Sequence, residues 1–149
     1  MTRGQIAIIK NGYNKTKEVM TSIEFNGDMY MPDGKWDGHG QRVIDLLKKA
    51  NDVADYQWVV AKFNMENHHY NDCESLTRKQ GIETLDFTKD YFEDWFSDYV
   101  YIKNITKEPV KLTTRISDEM GHDIGKQEVD LEQGQIAVLC FGRLVLIEE

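Results

Sequence analysis

The residue types most suited to binding or catalysis are concentrated in one segment, residues 26–40, with the sequence NGDMYMPDGKWDGHG. The segment holds four glycines and three aspartates together with a tyrosine, a tryptophan and a histidine. Glycine lets a backbone turn sharply or come close to another group, and loop side chains of these types commonly contact a ligand or partner. The pattern predicts a binding site composed of Asp28, Tyr30, Asp33, Trp36, Asp37 and His39.

This loop is compatible with more than one chemistry. Its aspartates offer the oxygen ligands that calcium prefers, although their spacing does not follow an EF-hand. His39 suits acid–base catalysis near neutral pH, although a lone loop histidine is more often a hydrogen-bonded structural residue. Tyr30 and Trp36 suit stacking on a base or insertion into a partner's pocket. Glycine amides could meet the phosphates of a small nucleotide, but three aspartates oppose an anion unless a cation intervenes.

A second candidate is the acidic, aromatic segment DFTKDYFEDWFSDYVYI, residues 86–102. Its aromatic stripe predicts a third helix over residues 88–97, flanked by acidic side chains. Such a surface could occupy the basic nucleic-acid groove of a host or defence protein, because complementary charge speeds encounter and fixes orientation. The alternative is the wet face of an ordinary amphipathic helix. The acidic residues are Asp90, Glu93, Asp94 and Asp98.

A third segment, ENHHYNDCE at residues 66–74, contains potential metal ligands. On a helix, His69, Asp72 and Cys73 would share a face, and histidine, carboxylate and thiolate are ligands of zinc. The adjacent histidines would point in different directions, however, and no second cluster completes a four-ligand site. We therefore predict a solvated loop here, and no metal or cofactor for the chain.

The charge of the chain restricts its partners. It has 26 acidic and 18 basic side chains, a formal net charge of −8. Such a surface repels phosphate backbones, so direct nucleic-acid binding is disfavoured. A basic protein partner fits this charge, as does ordinary solubility.

Length and composition predict one domain spanning residues 1–149, without an internal repeat or linker. No stretch has the apolar length of a signal peptide or a membrane span, which favours the cytoplasm. Cys73 and Cys140 are the two cysteines, and Cys140 lies in an apolar run, so no structural disulfide is expected.

The elements expected to position these segments are strands and helices in mixed order. Residues 6–9 and 19–25 predict a hairpin through Asn11-Gly12. A helix is expected after Gly40, and a second one capped by Asn51 or Asp52. The buried positions expected on these two helices are Val43, Ile44, Leu46, Leu47, Val53, Tyr56, Val60 and Phe63.

The C-terminal part predicts β structure. Residues 110–116 alternate as in a strand with one wet face. Residues 136–141 and 144–147 are apolar on both faces, which predicts two central strands joined by a type II′ turn at Gly142-Arg143. Together the elements predict an α+β fold, a single-domain layered sandwich with a mainly antiparallel sheet core and about three helices.

A resemblance adds to this prediction. The chain resembles a family of small uncharacterised phage and bacterial proteins that begin M-G-T-R, carry W-D-G-Y-P-x-G-x-G before a helix, and have a later tryptophan and an aromatic-rich strand. The resemblance implies an architecture like that of N-terminal-nucleophile (Ntn) hydrolases. The matching positions are Thr2-Arg3, Tyr30, Pro32, Trp36-Asp37-Gly38, Gly40, Trp95 and Tyr99-Val100-Tyr101-Ile102.

The predicted function is non-enzymatic. We expect an acidic binding protein of phage or mobile-element type that inhibits a bacterial defence or other host protein by occupying its functional surface. One alternative is capture of a small nucleotide or signalling molecule by residues 26–40. The other, implied by the resemblance, is an Ntn-type hydrolase: removal of Met1 would expose Thr2, whose hydroxyl would attack a carbonyl with its own amine as base.

Overall fold

The computed structural model describes residues 3–12, 17–22, 25–26, 38–66, 75–80, 84–86, 99–117, 120–140 and 143–147. These residues form two helices and ten strands, which confirms the α+β class; the predicted third helix, residues 88–97, lies outside them. In chain order the elements are β1 (Arg3–Asn11), β2 (Lys17–Ser22), β3 (Phe25–Asn26), α1 (Gly38–Lys48), α2 (Val53–Glu66), β4 (Ser75–Gln80), β5 (Thr84–Asp86), β6 (Tyr99–Asn104), β7 (Val110–Ser117), β8 (Asp123–Leu131), β9 (Ile136–Cys140) and β10 (Arg143–Ile147).

Seven strands form a large sheet with the order β10-β9-β6-β1-β2-β4, and β3 pairs with β1 beyond the end of β2. Its pairings are antiparallel except for β1 with β6, which are parallel. The other three strands form a small sheet in the order β5-β7-β8. The sheets are therefore mainly antiparallel, as predicted.

The two faces of the large sheet belong to different hydrophobic cores. In β1, Ile6 and Ile8 pack with the buried side chains of α1 and α2, whereas Ala7 and Ile9 pack with those of the small sheet. Successive side chains of a strand point to opposite faces, and the same division runs through β6 and β9. The helices thus cover one face of the large sheet and the small sheet covers the other.

Both helices form where the apolar spacing predicts them. Asp52 caps α2, as its Oδ1 accepts a hydrogen bond from Asp55 N at 2.7 Å, one of the amides that a helix leaves without an internal partner. Tyr56 is fully buried and its hydroxyl donates to Ile6 O at 2.9 Å, which ties α2 to β1. The eight predicted buried positions lie in the helix-side core or, for Val53, pack against it.

The side chain of a buried lysine from β6 caps the C-terminus of α1. Lys103 is 3% exposed, and its Nζ donates to Leu47 O at 2.9 Å and Lys48 O at 3.3 Å, and also to Ala50 O. The last carbonyls of a helix have no partners within it and carry partial negative charge, so a cation there is favourable. Lys103 therefore joins the C-terminus of α1 to β6.

The next residue in β6, Asn104, fastens the small sheet to the large one. Its Nδ2 donates to Leu131 O at 2.7 Å and Glu108 O at 3.0 Å, while its Oδ1 accepts from Thr106 N at 2.9 Å and Thr106 Oγ1 at 2.6 Å. The side chain is fully buried. Both ends of its amide are thus satisfied, as a buried polar group requires.

The predicted N-terminal hairpin is confirmed, since β1 and β2 are antiparallel with Asn11 opposite Lys17. The predicted strand over residues 19–25 corresponds to β2, which extends to Ser22, and β3, which begins at Phe25; residues 23–24 lie outside the described residues. The predicted strand over residues 110–116 is β7. Its wet face is narrower than expected, since Thr113 is buried where β5 lies alongside.

Of the two strands predicted to be central, β9 is central and β10 is not. β9 lies between β6 and β10, but β10 is the edge strand of the path formed by the described strands, and Leu146 is 39% exposed. The prediction for β10 was wrong because an apolar run does not reveal how many neighbours a strand has. The turn was also misplaced: Arg143 pairs with Cys140, so residues 141–142 connect the strands, not Gly142-Arg143.

Candidate binding surface

The strand register brings distant parts of the chain to one end of the large sheet. Arg3 is opposite Asn26, and the next residue of β1, Gly4, is opposite Tyr99. Tyr99 in turn is opposite Cys140. We call this end of the sheet, marked by Arg3, Asn26, Tyr99 and Cys140, the loop end.

The segments singled out in the sequence are joined to the loop end. Residues 27–37 follow Asn26 directly, and residues 87–98 lead directly into Tyr99. Residues 67–74 lead into β4, whose first residue is opposite Ser22. Ser22 is close to the same end, since its Oγ accepts a hydrogen bond from Ile6 N at 2.9 Å. Three segments that are far apart in sequence are therefore all connected to the loop end of the large sheet.

Most of the net charge belongs to these three segments. Residues 27–37, 67–74 and 87–98 contain nine acidic and two basic side chains, a net charge of −7 out of −8 for the chain. The remainder has 17 acidic and 16 basic side chains and is almost neutral. The acidity of this protein is thus not spread evenly, but belongs to the connections at the loop end.

A buried polar network holds the start of the large sheet. Gln5 Nε2 donates to Thr21 Oγ1 at 3.2 Å and to Ser22 O at 3.3 Å, and Thr21 Oγ1 donates to Ser22 O at 2.7 Å. All three residues are buried. The network lies at the end of β2. It therefore stabilises the part of the large sheet to which β3 and residues 27–37 are connected.

Two tyrosines and a cysteine lie on the helix side of the loop end. The rings of Tyr99 and Tyr101 are stacked, with centroids 6.4 Å apart and an interplanar angle of 15°. Burial raises the pKa of the Tyr101 phenol above its ordinary range, and the neighbouring Tyr99 and Cys140 raise it further. The phenol of Tyr101 is therefore neutral near pH 7, which does not suit an activated nucleophile.

Cys140 is expected to react slowly. Burial raises the pKa of its thiol, an effect that a hydrogen bond from Tyr99 only partly opposes, and the thiolate is the reactive form. In a Cys73→Ser background, alkylation of Cys140 by iodoacetamide at pH 7.5 should be slower than that of N-acetylcysteine, and its rate should rise at higher pH. Denaturant should remove the difference. Faster alkylation than the free thiol in the folded protein would contradict this assignment.

The β7–β8 hairpin is hydrogen-bonded to the large sheet at two places, close to the two ends of that sheet. Leu131, the last residue of β8, is held by Asn104 at the end opposite the loop end. Four residues earlier, Gln127 Nε2 donates to Leu144 O at 2.8 Å and its Oε1 accepts from Leu144 N at 2.9 Å. Leu144 lies one pair away from Cys140 in the β9–β10 register. β8 therefore runs from the loop end, at Gln127, to the opposite end of the sheet.

The tip of this hairpin lies beyond Gln127 along β8, on the side away from Leu131. Ile124 precedes Gln127 by three residues. It is 59% exposed, and Met120 in the connecting turn is 80% exposed. The sequence carries one signal for this tip, an isoleucine that precedes the alternating charged residues Lys126, Glu128 and Asp130.

The predicted site residues themselves lie mainly outside the described residues. His39 is placed in the first turn of α1, through its backbone only. The structure therefore locates the flanks of the candidate segments, and the site residues stay predictions. Those outside the description are Thr2, Asp28, Tyr30, Asp33, Trp36, Asp37, His68, His69, Asp72, Cys73, Glu74, Asp90, Glu93, Asp94 and Asp98.

Within the part of the chain that the structure describes, no group of three or more histidine, cysteine, aspartate or glutamate side chains is arranged to hold a metal ion. Neither of its helices has the length and apolar character needed to cross a membrane.

Comparison with known proteins gave no relative: no protein-family model matches this chain, and neither a curated protein nor a solved structure matches it.

Proposed function

We propose that this chain is a non-enzymatic binding protein that uses the loop end to occupy a basic surface of a bacterial host or defence protein. The observation that carries the proposal is the concentration of charge, since segments with a net charge of −7 are joined to one end of an otherwise nearly neutral framework. A one-sided field steers association with an oppositely charged partner.

The partner chemistry follows from the sign of the charge. A nucleic acid would be repelled, whereas a protein that itself binds nucleic acid presents a complementary basic groove. The resemblance to small phage and bacterial proteins supports a setting in which such a groove is blocked. Asp90, Glu93, Asp94 and Asp98 are the proposed acidic contacts, and the residues of 26–40 supply aromatic ones.

The test begins with affinity capture from a bacterial lysate, followed by binding measurements with the purified protein that is retained. We expect stoichiometric binding that weakens between about 50 mM and about 500 mM salt, because salt screens exposed charges. Double-stranded DNA should compete for the partner. Retention of a defined small molecule instead, released on denaturation, would favour nucleotide capture by residues 26–40.

Charge neutralisation supplies the critical comparison. The variant Asp90→Asn/Glu93→Gln/Asp94→Asn should bind about tenfold more weakly at low salt, with most of the loss in the association rate. A matched variant loses three exposed acidic groups elsewhere, and it should bind like the wild type. Equal losses in the two variants would show that net charge alone matters and would overturn the assignment to the loop end. The matched substitutions are Asp45→Asn, Asp130→Asn and Glu132→Gln.

One observation favours a second candidate, the Ntn-type hydrolase. Thr2 directly precedes Arg3, the first residue of β1, and β1 lies in the interior of the large sheet. The order helices, large sheet, small sheet is compatible with the predicted layered sandwich, and the resemblance implies an Ntn-like architecture for it. Mass measurement of the intact chain would establish whether Met1 is removed. Labelling by a β-lactone probe that disappears in Thr2→Ala would favour the hydrolase, and absence of labelling on a chain that begins at Thr2 would exclude it.

A further inference from the structure

We infer that Met120 and Ile124, at the tip of the β7–β8 hairpin, form an apolar anchor that enters a pocket beside the basic surface of the partner protein. This inference rests on the proposed function, because it assigns the apolar part of the same interface. The two residues are 80% and 59% exposed, the largest exposures among the large apolar side chains of the described residues.

The position of Ile124 is unusual for its strand. The exposed side chains that follow Ile124 along β8 are those of Lys126, Glu128 and Asp130, and a wet strand face normally carries polar residues throughout. An exposed apolar residue at such a position lowers solubility and adds nothing to the hydrophobic core. Contact with a partner protein would remove its apolar surface from water.

The backbone presents Ile124 in a specific way. Ile116 is opposite Gly125 and Ser117 is opposite Asp123, so Ile124 is the extra residue of a β-bulge. Gly125 has a φ of 141°, a conformation that favours glycine. Bulges bend a strand and re-aim its side chains, and they occur often beside functional sites. The bulge thus belongs to the same projecting tip as Met120.

The surroundings indicate what the anchor contacts. The tip lies beyond Gln127, which is bonded to Leu144 close to the loop end, and segments of net charge −7 are joined to that same end. Protein interfaces commonly combine a few apolar residues, which contribute most of the affinity, with a polar rim. The charge requires a basic partner, and two aliphatic side chains require an apolar pocket within its surface.

The test uses the purified partner from the capture experiment and compares kinetics by surface plasmon resonance. Met120→Ser/Ile124→Ser should increase the dissociation rate about thirtyfold, while the association rate and its salt dependence change little. Trp58→Ser is the matched control, since Trp58 is also large and 52% exposed but lies on α2, with Lys62 Nζ 4.6 Å from its ring centroid. This control should bind like the wild type.

The outcomes separate the two proposals. A partner that binds the Met120→Ser/Ile124→Ser variant within twofold of the wild type overturns the anchor and leaves the proposed function intact. An equal loss in Trp58→Ser also overturns it, because the effect would not be specific to the tip. Failure to capture any partner overturns both. Unfolding curves should be nearly unchanged in the tip variant, since exposed side chains contribute little to stability.

Discussion

Replacing Asn104 with alanine is expected to lower the free energy of unfolding by about 3 kcal/mol, with a fall in melting temperature of about 8 °C. The truncation removes the donor to Leu131 O and the acceptor of Thr106 N, both in buried hydrogen bonds, whereas Glu108 O keeps the hydroxyl of Thr106 as a donor. Each buried polar group that loses its partner costs about 1–3 kcal/mol. Urea denaturation measures the change directly.

Two further variants separate the hydrogen bonds of Asn104 from its packing. Asn104→Asp keeps the shape and the acceptor but loses both donors, so we expect it to be at least as destabilised as Asn104→Ala. Asn51→Ala is the matched control, because Asn51 is exposed and its side-chain amide makes a weak 3.5 Å contact with Lys49 O. It should change stability by less than about 0.5 kcal/mol. A loss below about 1 kcal/mol in Asn104→Asp would contradict the role of the network.

The parts of the fold that depend on local patterns were predictable from sequence. The helical spacing of Val43, Leu46 and Leu47 placed α1, and an aspartate before an apolar repeat placed the cap of α2 at Asp52. Alternation placed β7. In each case the residues that decide the structure lie within one element or at its boundary.

The parts that depend on pairing between distant segments were not predictable. β10 has an apolar sequence like that of β9, yet among the described strands it has one neighbour where β9 has two. β4, with the sequence SLTRKQ, has no apolar signal but pairs with β2 along six residues. Burial and neighbours are properties of the assembled sheet, which a local pattern does not contain.

The candidate site shows the same limit. The sequence identified residues 26–40 and the acidic segment before Tyr99 as separate candidates. Their common location follows from the pairings of β1 with β3 and β6, which join Arg3 to Asn26, 23 positions apart, and Gly4 to Tyr99, 95 positions apart. The charged segments could be assigned to one end of the sheet only with this register. The location of the β7–β8 tip likewise depends on a tertiary contact, that of Gln127 with Leu144.

The second large stability effect is expected at Lys103. Replacing it with methionine keeps the length of the side chain but removes the ammonium group that bonds the carbonyls of Leu47, Lys48 and Ala50 at the end of α1. These carbonyls lose a charged donor inside the protein, so we expect a loss of about 3 kcal/mol in the free energy of unfolding. Guanidinium denaturation followed by circular dichroism measures it, and amide exchange at the C-terminal turn of α1 should accelerate most.

Lys107→Met separates this effect from the change in net charge. Lys107 is exposed, and its substitution raises the negative charge of the chain by the same amount as Lys103→Met. If Lys103 acts through the helix carbonyls, the control should lose less than about 0.5 kcal/mol. Equal losses would instead assign the effect to the net charge. Lys103 lies at the opposite end of β6 from the proposed contacts. We nevertheless expect Lys103→Met to weaken partner binding, because α1 begins at Gly38, directly after residues 27–37, and destabilising α1 would affect that segment.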